Sequence, residues 1–373
     1  MRIAIDARKL HHYGIGTYVR NLVHWLARAH DDHEYVLVCQ RDDAEGFRAL
    51  GPRFTPVTVA AGQYSVGEQL TVPLALARSR IDLFHAPHYV VPPLTRCRSV
   101  VTIHDCIHLR FPEYLPNRIA HLYARTMLGL AARRSCRVLT VSQASKQDIL
   151  HYLKIPGEKV EVIYNGLDER LARTPTRDDM AKVRERFQLE GPFILYAGNI
   201  KPHKNVDRLI EAYSILRRRG IEDAKLLIIG NEISKYPHLR RLVHRFNLHQ
   251  HVRFLGFVPD ATLAALYRLT SVFVFPSLYE GFGLPPLEAM AAGAPVITSN
   301  VSALPEVVGD AALLIDPLDA GAIAEAMARV LTSETLRADL AARGRERTKM
   351  FSWERSVARI REVYAEVGGA GRV

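Results

Sequence analysis

No apolar run in this sequence reaches the roughly 18 residues that a membrane-spanning helix needs. The opening MRIAIDARKL sets Asp6, Arg8 and Lys9 where a signal peptide would be apolar. Both absences lead to the expectation of a cytoplasmic chain, one that stands at most peripherally at the inner face of a membrane. Cysteine is also scarce. Cys39, Cys97, Cys106 and Cys136 form no CxxC pair, and a chain of this length needs no covalent staples, so reduced thiols are expected. Low-complexity segments and short repeats are absent as well. What remains is a chain of 373 residues with 48% hydrophobic residues, enough for two domains of ordinary size.

Acidic residues are outnumbered, with Lys and Arg at 50 against Asp and Glu at 39. Part of the excess is local: eight arginines between Arg96 and Arg137 face only Asp105 and Glu113. A solvated face is the ordinary meaning of such a stretch. An anionic membrane, a phosphorylated substrate and nucleic acid are the sharper ones. Within it, PNRIAHLYARTMLGLAARR carries apolar residues at helical spacing with Arg118, Arg125, Arg133 and Arg134 among them. A helix resting on anionic lipid and a core-facing helix with a basic outer face fit that pattern equally.

Short apolar or β-branched runs at RIAID, YVLVC, DLFHA, SVVTIHD, RVLTVS and VEVIYN alternate with helical patterns. That alternation implies a parallel sheet covered on both faces. The pattern breaks over the polar stretch Leu171 to Asp179, which carries Pro175, then restarts with FILYAGN, KLLIIGN, VRFLGF, SVFVFPS and PVITSN. We therefore expect two doubly wound, Rossmann-like α/β domains at 1–170 and 171–352, two copies of one architecture. A last helix within 353–373 has room to pack back on the first domain.

In such sheets ligands bind beyond the carboxyl ends of the strands. After the first strand, Gly14 and Gly16 precede a helix and allow close approach to an anion, or simply make a tight turn. A dinucleotide fingerprint would place a third glycine where Val19 stands, which counts against a dehydrogenase. Four histidines, His85, His88, His104 and His108, sit at two strand ends. They lack the spacing and the third cluster of a zinc site. His85 or His88 reads as a satisfied structural histidine, whereas His104, directly after VVTI, is placed to meet a sugar hydroxyl or a phosphate in a cleft. In FILYAGNIKPHKN, Lys204 sits at a helix start where its charge is misplaced for stability and well placed for a bound anion.

The most specific stretch is FPSLYEGFGLPPLEAMAAGAPVITS. Pro285 and Pro286 suit a helix's first turn and Gly293 its end, so Glu280 falls on a loop and Glu288 inside the helix. The glycines around Phe282 let backbone N–H groups face an anion. Each flanking carboxylate can accept from vicinal hydroxyls, as in sugar or ribose. A helix-dipole role for Glu288 and a plain surface acid at Glu280 are the alternatives.

With GIGTYVRNL, HAPHY, TIHD, VSQASKQDI, YNG, YAGNIKPHKN and EGFGLPPLEAMAAGAPVI in order, the chain resembles the family 4 retaining glycosyltransferases of GT-B architecture, mannosyltransferases in particular. The resemblance implies two domains facing across a cleft and transfer of a hexose from a nucleotide diphosphate sugar, with GDP-mannose the first guess. The acceptor would be a glycan or lipid-linked glycan in polysaccharide biosynthesis, and neither cofactor nor metal would be required. By the same resemblance Glu280 holds the donor sugar's hydroxyls, Glu288 the ribose, and Lys204 the diphosphate. Phe282, Gly283 and Leu284 offer N–H groups, Gly16 (with Gly14) approaches the diphosphate from the first domain, and His104 lies near the reacting sugar. Asn199 departs from the pattern, because many members carry arginine there; Lys201 and Arg8 are the cations that could replace it. A GT-B-like sugar-nucleotide epimerase and a basic nucleic-acid-binding protein are the readings set against transfer, and no nucleic-acid partner is expected.

Overall fold

Residues that read as near-continuous apolar runs form two all-parallel sheets in a computed structural model that describes residues 1–369 apart from 63, 66, 173, 174 and 232. Two residues of the expected linker and the last four of the expected 353–373 segment thus lie outside the described residues. The chain divides into one unit made of Met1–Gly166 and Ser352–Val373 and a second made of Leu167–Phe351.

The first unit carries β1 (Arg2–Asp6), β2 (Glu34–Cys39), β3 (Phe54–Thr58), β4 (Leu83–Ala86), β5 (Arg98–Thr102), β6 (Arg137–Thr140) and β7 (Val160–Val162), in the order β3-β2-β1-β4-β5-β6-β7. The second carries β8 (Phe193–Ala197), β9 (Lys225–Ile229), β10 (Val252–Gly256), β11 (Val272–Phe275), β12 (Val296–Ser299) and β13 (Leu313–Ile315), in the order β10-β9-β8-β11-β12-β13. Central strands such as β4, β8 and β11 are buried at every position. Helices cover both faces of a parallel sheet, so its strands need no polar side. β3 contains Pro56, which a central strand would not tolerate. It is an edge strand paired only with β2, so the missing N–H costs no ladder bond on its outer side.

Each sheet reverses its order once, between β1 and β4 in the first unit and between β8 and β11 in the second. These are the switch points where the loops leaving neighbouring strands diverge and a crevice opens.

The helix Trp353–Gly369 belongs to the first unit, where it buries Trp353, Val357, Ile360, Val363 and Tyr364. Fully burying an aliphatic side chain of this kind contributes roughly 1.5–3 kcal/mol. Polar bonds fix its register: Ser356 Oγ donates to the Tyr164 carbonyl at 2.6 Å, and Arg98 Nη1 to the Val367 carbonyl at 2.5 Å. His85 is its buried partner, with Nδ1 2.6 Å from the Tyr364 hydroxyl and Nε2 2.8 Å from Thr102 Oγ1. Burial pushes that imidazole down to about 3, so it is a neutral core histidine with both nitrogens satisfied. Among the described residues no helix is long and apolar enough to cross a membrane.

Candidate functional site

The second unit's switch point lies between the loops that follow β8 and β11, and these loops carry Lys204 and Glu280. Lys204 ends a short 3-10 turn, Pro202–Lys204. Asn205 follows at φ 58°, a left-handed conformation that asparagine tolerates better than most residues. Its amide Nδ2 donates to the carbonyls of Pro276 (3.0 Å) and Pro317 (2.7 Å). The Leu278 N–H and the Ser277 hydroxyl both donate to the His203 carbonyl, at 2.7 and 3.0 Å. The two loops are therefore stitched together by backbone acceptors. Across that seam Lys204 Nζ donates to Glu280 Oε1 at 2.5 Å, with side chains only 10% and 12% exposed. Lys204 also lies over the Phe275 ring, 5.3 Å from its centroid. Ser302 Oγ accepts from the Glu280 N–H at 2.9 Å and fixes the loop behind the carboxylate.

Beyond Glu280 the chain enters the helix Leu284–Ala292 through Gly283, which takes φ 108°. A side chain at Gly283 would be strained by that angle, and its Cβ would lie 2.8 Å from Leu304 Cδ2. Pro285 and Pro286 have no N–H, which removes two of the four donors that a helix start leaves open. The Leu287 N–H is turned back to the Gly283 carbonyl at 3.4 Å. The N–H groups of Gly283 and Leu284 have no protein acceptor among the described residues. Phe282 is buried edge-on against Phe351, with ring centroids 5.6 Å apart, so its ring is taken up by packing and only its backbone is left to face the loop.

Glu288 is placed differently. Its Oε2 accepts from the Tyr267 hydroxyl at 3.1 Å. Burial is the first cause that pushes its carboxyl up to about 7; Asp168 and Asp260 add to it, while the Tyr267 bond and Arg170 oppose it. Arg170 is itself held by Asp168 at 2.5 Å and Asp260 at 3.0 Å. Glu288 thus stands near two further carboxylates that share one guanidinium.

At the end of β8, Asn199 Oδ1 is buried with no hydrogen-bond partner among the described residues. An unmet amide at a strand end is costly unless a ligand completes it. Of the two cations considered for this position, Lys201 is exposed, and Arg8 is held in the first unit by Asp6 and Glu68.

The first unit holds Gly14, Gly16 and His104. Gly14 caps the helix Ile15–Arg28 at φ 63° with open space around it. Gly16 has a steric role, because a Cβ there would lie 2.3 Å from the Leu10 carbonyl oxygen. His104 Nε2 donates to the Pro87 carbonyl at 3.0 Å, and burial holds its pKa below the usual histidine value. A neutral ring donating through Nε2 leaves Nδ1 as an acceptor. Of the two partners foreseen for His104, the hydroxyl fits that tautomer and the phosphate does not.

Sequence reading placed Lys204, Glu280 and Glu288 in separate local contexts. The pairing of the first two, the Tyr267 and Arg170 surroundings of the third, and the loop-stitching role of Asn205 carry no local signal beyond the asparagine in KPHKN. Among the described residues no group of three or more His, Cys, Asp or Glu side chains gathers as a metal site would require.

Comparison with known proteins gives matches along most of the chain. The family described as glycosyltransferase family 4 matches residues 13–171, and glycosyl transferases group 1 matches residues 178–347. The chain is 34% identical over 285 residues to the O-antigen chain mannosyltransferase B of Escherichia coli, covering 76% of this chain and 74% of the relative. It is 31% identical over 270 residues to the E. coli serotype-specific mannosyltransferase WbdA, covering 69% of this chain, and it spans about a third (32%) of that relative's length. The structure of Anabaena Alr3699/HepE in complex with UDP and glucose shares the fold, with a TM-score of 0.79 at 20% identity over 98% of this chain and 100% of that one.

Proposed function

Because the chain belongs to glycosyltransferase family 4, retaining enzymes of GT-B type that draw on nucleotide-sugar donors, we propose that it moves mannose from GDP-mannose to a hydroxyl of a glycan or lipid-linked glycan in polysaccharide biosynthesis. The observation that carries mannose is the identity with O-antigen chain mannosyltransferase B over three quarters of both chains.

The second unit takes the donor. Glu280 grips hydroxyls of the donor sugar, and Lys204 turns from Glu280 toward the diphosphate as charge builds on the leaving group. The N–H groups of Phe282, Gly283 and Leu284 meet sugar and diphosphate at the helix start, where the dipole favours an anion. Glu288 accepts from the ribose, and Asn199 Oδ1 accepts from a hydroxyl of the donor sugar. In the first unit Gly14 and Gly16 leave backbone able to approach an anion, and His104 Nδ1 is an acceptor for a sugar hydroxyl. A retaining glycosidase pair would need two carboxylates roughly 5 Å apart with one acting as nucleophile. Glu280 is engaged by Lys204 and Glu288 by Tyr267, and same-face attack with the leaving phosphate assisting deprotonation uses neither as nucleophile.

A membrane-near acceptor has support in the first unit. On the helix Arg118–Arg134, Ile119 and Leu122 are 78% and 64% exposed, beside exposed Arg118 and Arg125. Apolar side chains presented between arginines suit contact with anionic lipid.

The test is a transfer assay with GDP-mannose, UDP-glucose and UDP-galactose as donors, a mannose-terminated oligosaccharide as acceptor and EDTA present. The expected result is one added hexose from GDP-mannose, with the donor's α configuration kept in the product. Transfer from a uridine donor alone would overturn mannose. An inverted product, or activity lost to EDTA and restored by Mg²⁺, would overturn the chemistry.

A further inference from the structure

Among the described residues Glu280 is held at two points: its carboxylate by Lys204 Nζ and its N–H by Ser302 Oγ. On the function proposed above, the first hold is given up when Lys204 turns to the diphosphate. The second is a bond to the backbone, and it remains when the carboxylate meets the sugar.

Ser302 lies in the loop 300–303 that follows β12, and this loop is anchored at both ends. The Asn300 N–H donates to the Ile315 carbonyl at 2.8 Å and ties its start to β13. Its end enters the helix Leu304–Val308, where Leu304, Val307 and Val308 are buried. Arg347 donates to the carbonyls of Glu306 (2.6 Å) and Val307 (3.0 Å) and holds that helix in turn. Leu304 is also the residue that a Cβ at Gly283 would meet. One anchored loop therefore backs the donor segment twice, at Glu280 and at Gly283.

Within this loop Ser302 takes φ 53°. Glycine, and to a lesser degree asparagine, visits this left-handed region; serine seldom does. Strained states of this kind persist where the surroundings over-determine them, and they gather at ligand sites. Glycine at 302 would relieve the strain and lose only the hydroxyl. Stability alone thus favours glycine, and the bond to Glu280 is what serine adds.

We propose that Ser302 is a positioning residue for the transfer reaction, whose hydroxyl fixes the Glu280 backbone so that the carboxylate keeps its aim on the donor sugar once Lys204 has let go. The proposal rests on the donor role given to Glu280 above. In the unliganded protein Lys204 and Ser302 hold Glu280 together, so losing one bond changes little. In the donor complex that redundancy is gone, and a misplacement of about 1 Å costs a positioned group on the order of a hundredfold in rate. The Ser302 bond is therefore worth more to turnover than to the fold or to the nucleotide.

Ser302→Gly, Ser302→Ala and Ser302→Thr separate the bond from the backbone. Glycine and alanine both delete the acceptor, glycine with relief of the strain and alanine without it. Threonine keeps the acceptor and, being β-branched, adds strain. On the full chain the readouts are urea melts, calorimetric affinity for GDP and UDP, amide hydrogen exchange at Glu280, and kcat and KM. The donor is GDP-mannose, or UDP-glucose or UDP-galactose if wild type uses that instead, with a mannose-terminated acceptor. Two opposite orders are expected. Ser302→Gly is at least as stable as wild type and Ser302→Thr less stable, whereas kcat/KM falls about tenfold in Ser302→Gly and Ser302→Ala and is largely kept in Ser302→Thr. Nucleoside diphosphate affinity stays within about twofold of wild type in all three. The Glu280 amide exchanges faster only where the acceptor is gone. If Ser302→Thr does not fold, Ser302→Gly decides alone, because it carries no strain.

Wild-type kcat/KM in Ser302→Gly overturns the proposal, and so does a loss that follows stability, least in Ser302→Gly and greatest in Ser302→Thr. A loss of nucleoside diphosphate affinity equal to the loss in kcat/KM overturns it too, since Ser302 would then merely shape the nucleotide site. In each of these failures the transfer reading stands. Wild type that binds GDP yet turns over no nucleotide sugar overturns that reading, and the proposal falls with it.

Discussion

Lys204 and Glu280, 76 positions apart in the sequence, meet at 2.5 Å across the loops that leave β8 and β11. The pair lets a lysine and a glutamate stand nearly buried with their charges compensated. On the function proposed above, the donor's phosphate and hydroxyls would take the place of each partner.

Glu280→Ala is therefore expected to have two effects. Transfer is largely lost, because the contacts removed are to the sugar in the transition state, while nucleoside diphosphate binding survives. The bare Lys204 also destabilises the unliganded protein, by about 3–5 kcal/mol if the loss matches other broken buried pairs. Added nucleoside diphosphate should then raise the variant's Tm more than the wild type's. Calorimetric melts with and without GDP check this; wild-type turnover in the variant would refute the role.

Glu288 makes the protein's stability depend on pH. Its carboxyl titrates near 7 in the folded protein against a usual value of 4.5. Its contribution to stability is thus intact below the usual value and is lost as pH rises through 7. Glu288→Gln should raise the Tm of the unliganded protein at about pH 8 and raise it less at about pH 5. The same change should weaken nucleotide affinity by roughly 1–3 kcal/mol and flatten its rise through neutral pH, because only the ionised carboxylate accepts two ribose hydroxyls. Unchanged nucleotide affinity would return Glu288 to a purely structural part.

Gly283→Ala tests the strained helix start. At φ 108°, with Leu304 in the way, the substitution should cost about 1–3 kcal/mol of stability. It should also lower donor affinity, since it moves the N–H groups of Gly283 and Leu284. Gly14→Ala meets nothing within 4 Å and should cost only the φ penalty of its 63° backbone. Equal losses at the two sites, measured by urea melts, would contradict this account.

For the membrane face, binding to vesicles containing anionic lipid should fall with added salt, and each of Arg118→Gln and Arg125→Gln should remove about 1 kcal/mol of it. Ile119→Ser with Leu122→Ser should weaken what remains at high salt. Sedimentation that ignores lipid charge would leave a soluble acceptor as the better reading.

Much of the scaffold was legible because parallel strands buried on both faces announce themselves as apolar runs. RIAID, YVLVC, FILYA and VFVF are strands, with their expected polar or glycine residues at the carboxyl ends. Of the four edge strands, VEV and VRFLG show in the sequence and two do not: FTPVT is interrupted by Pro56, and LLI at β13 is too short to show a period. Glu280 on a loop and Glu288 in a helix followed from Pro285, Pro286 and Gly293. Pairings that bridge distant loops, such as Lys204 with Glu280 or Lys9 with Tyr64 and His88, leave no trace in local spacing. Only the sheet order, which brings β8 beside β11 and β1 beside β4, creates them.

The central claim is that the second unit binds a nucleoside diphosphate through Lys204, and calorimetric titration of GDP, UDP, ADP and the free nucleosides tests it most directly. The account predicts that GDP binds wild type most tightly. Lys204→Ala should weaken GDP by about 1.5–3 kcal/mol, the range for a charge-assisted bond, and leave guanosine almost untouched. Equal losses for GDP and guanosine, or no nucleoside diphosphate binding at all, would contradict it.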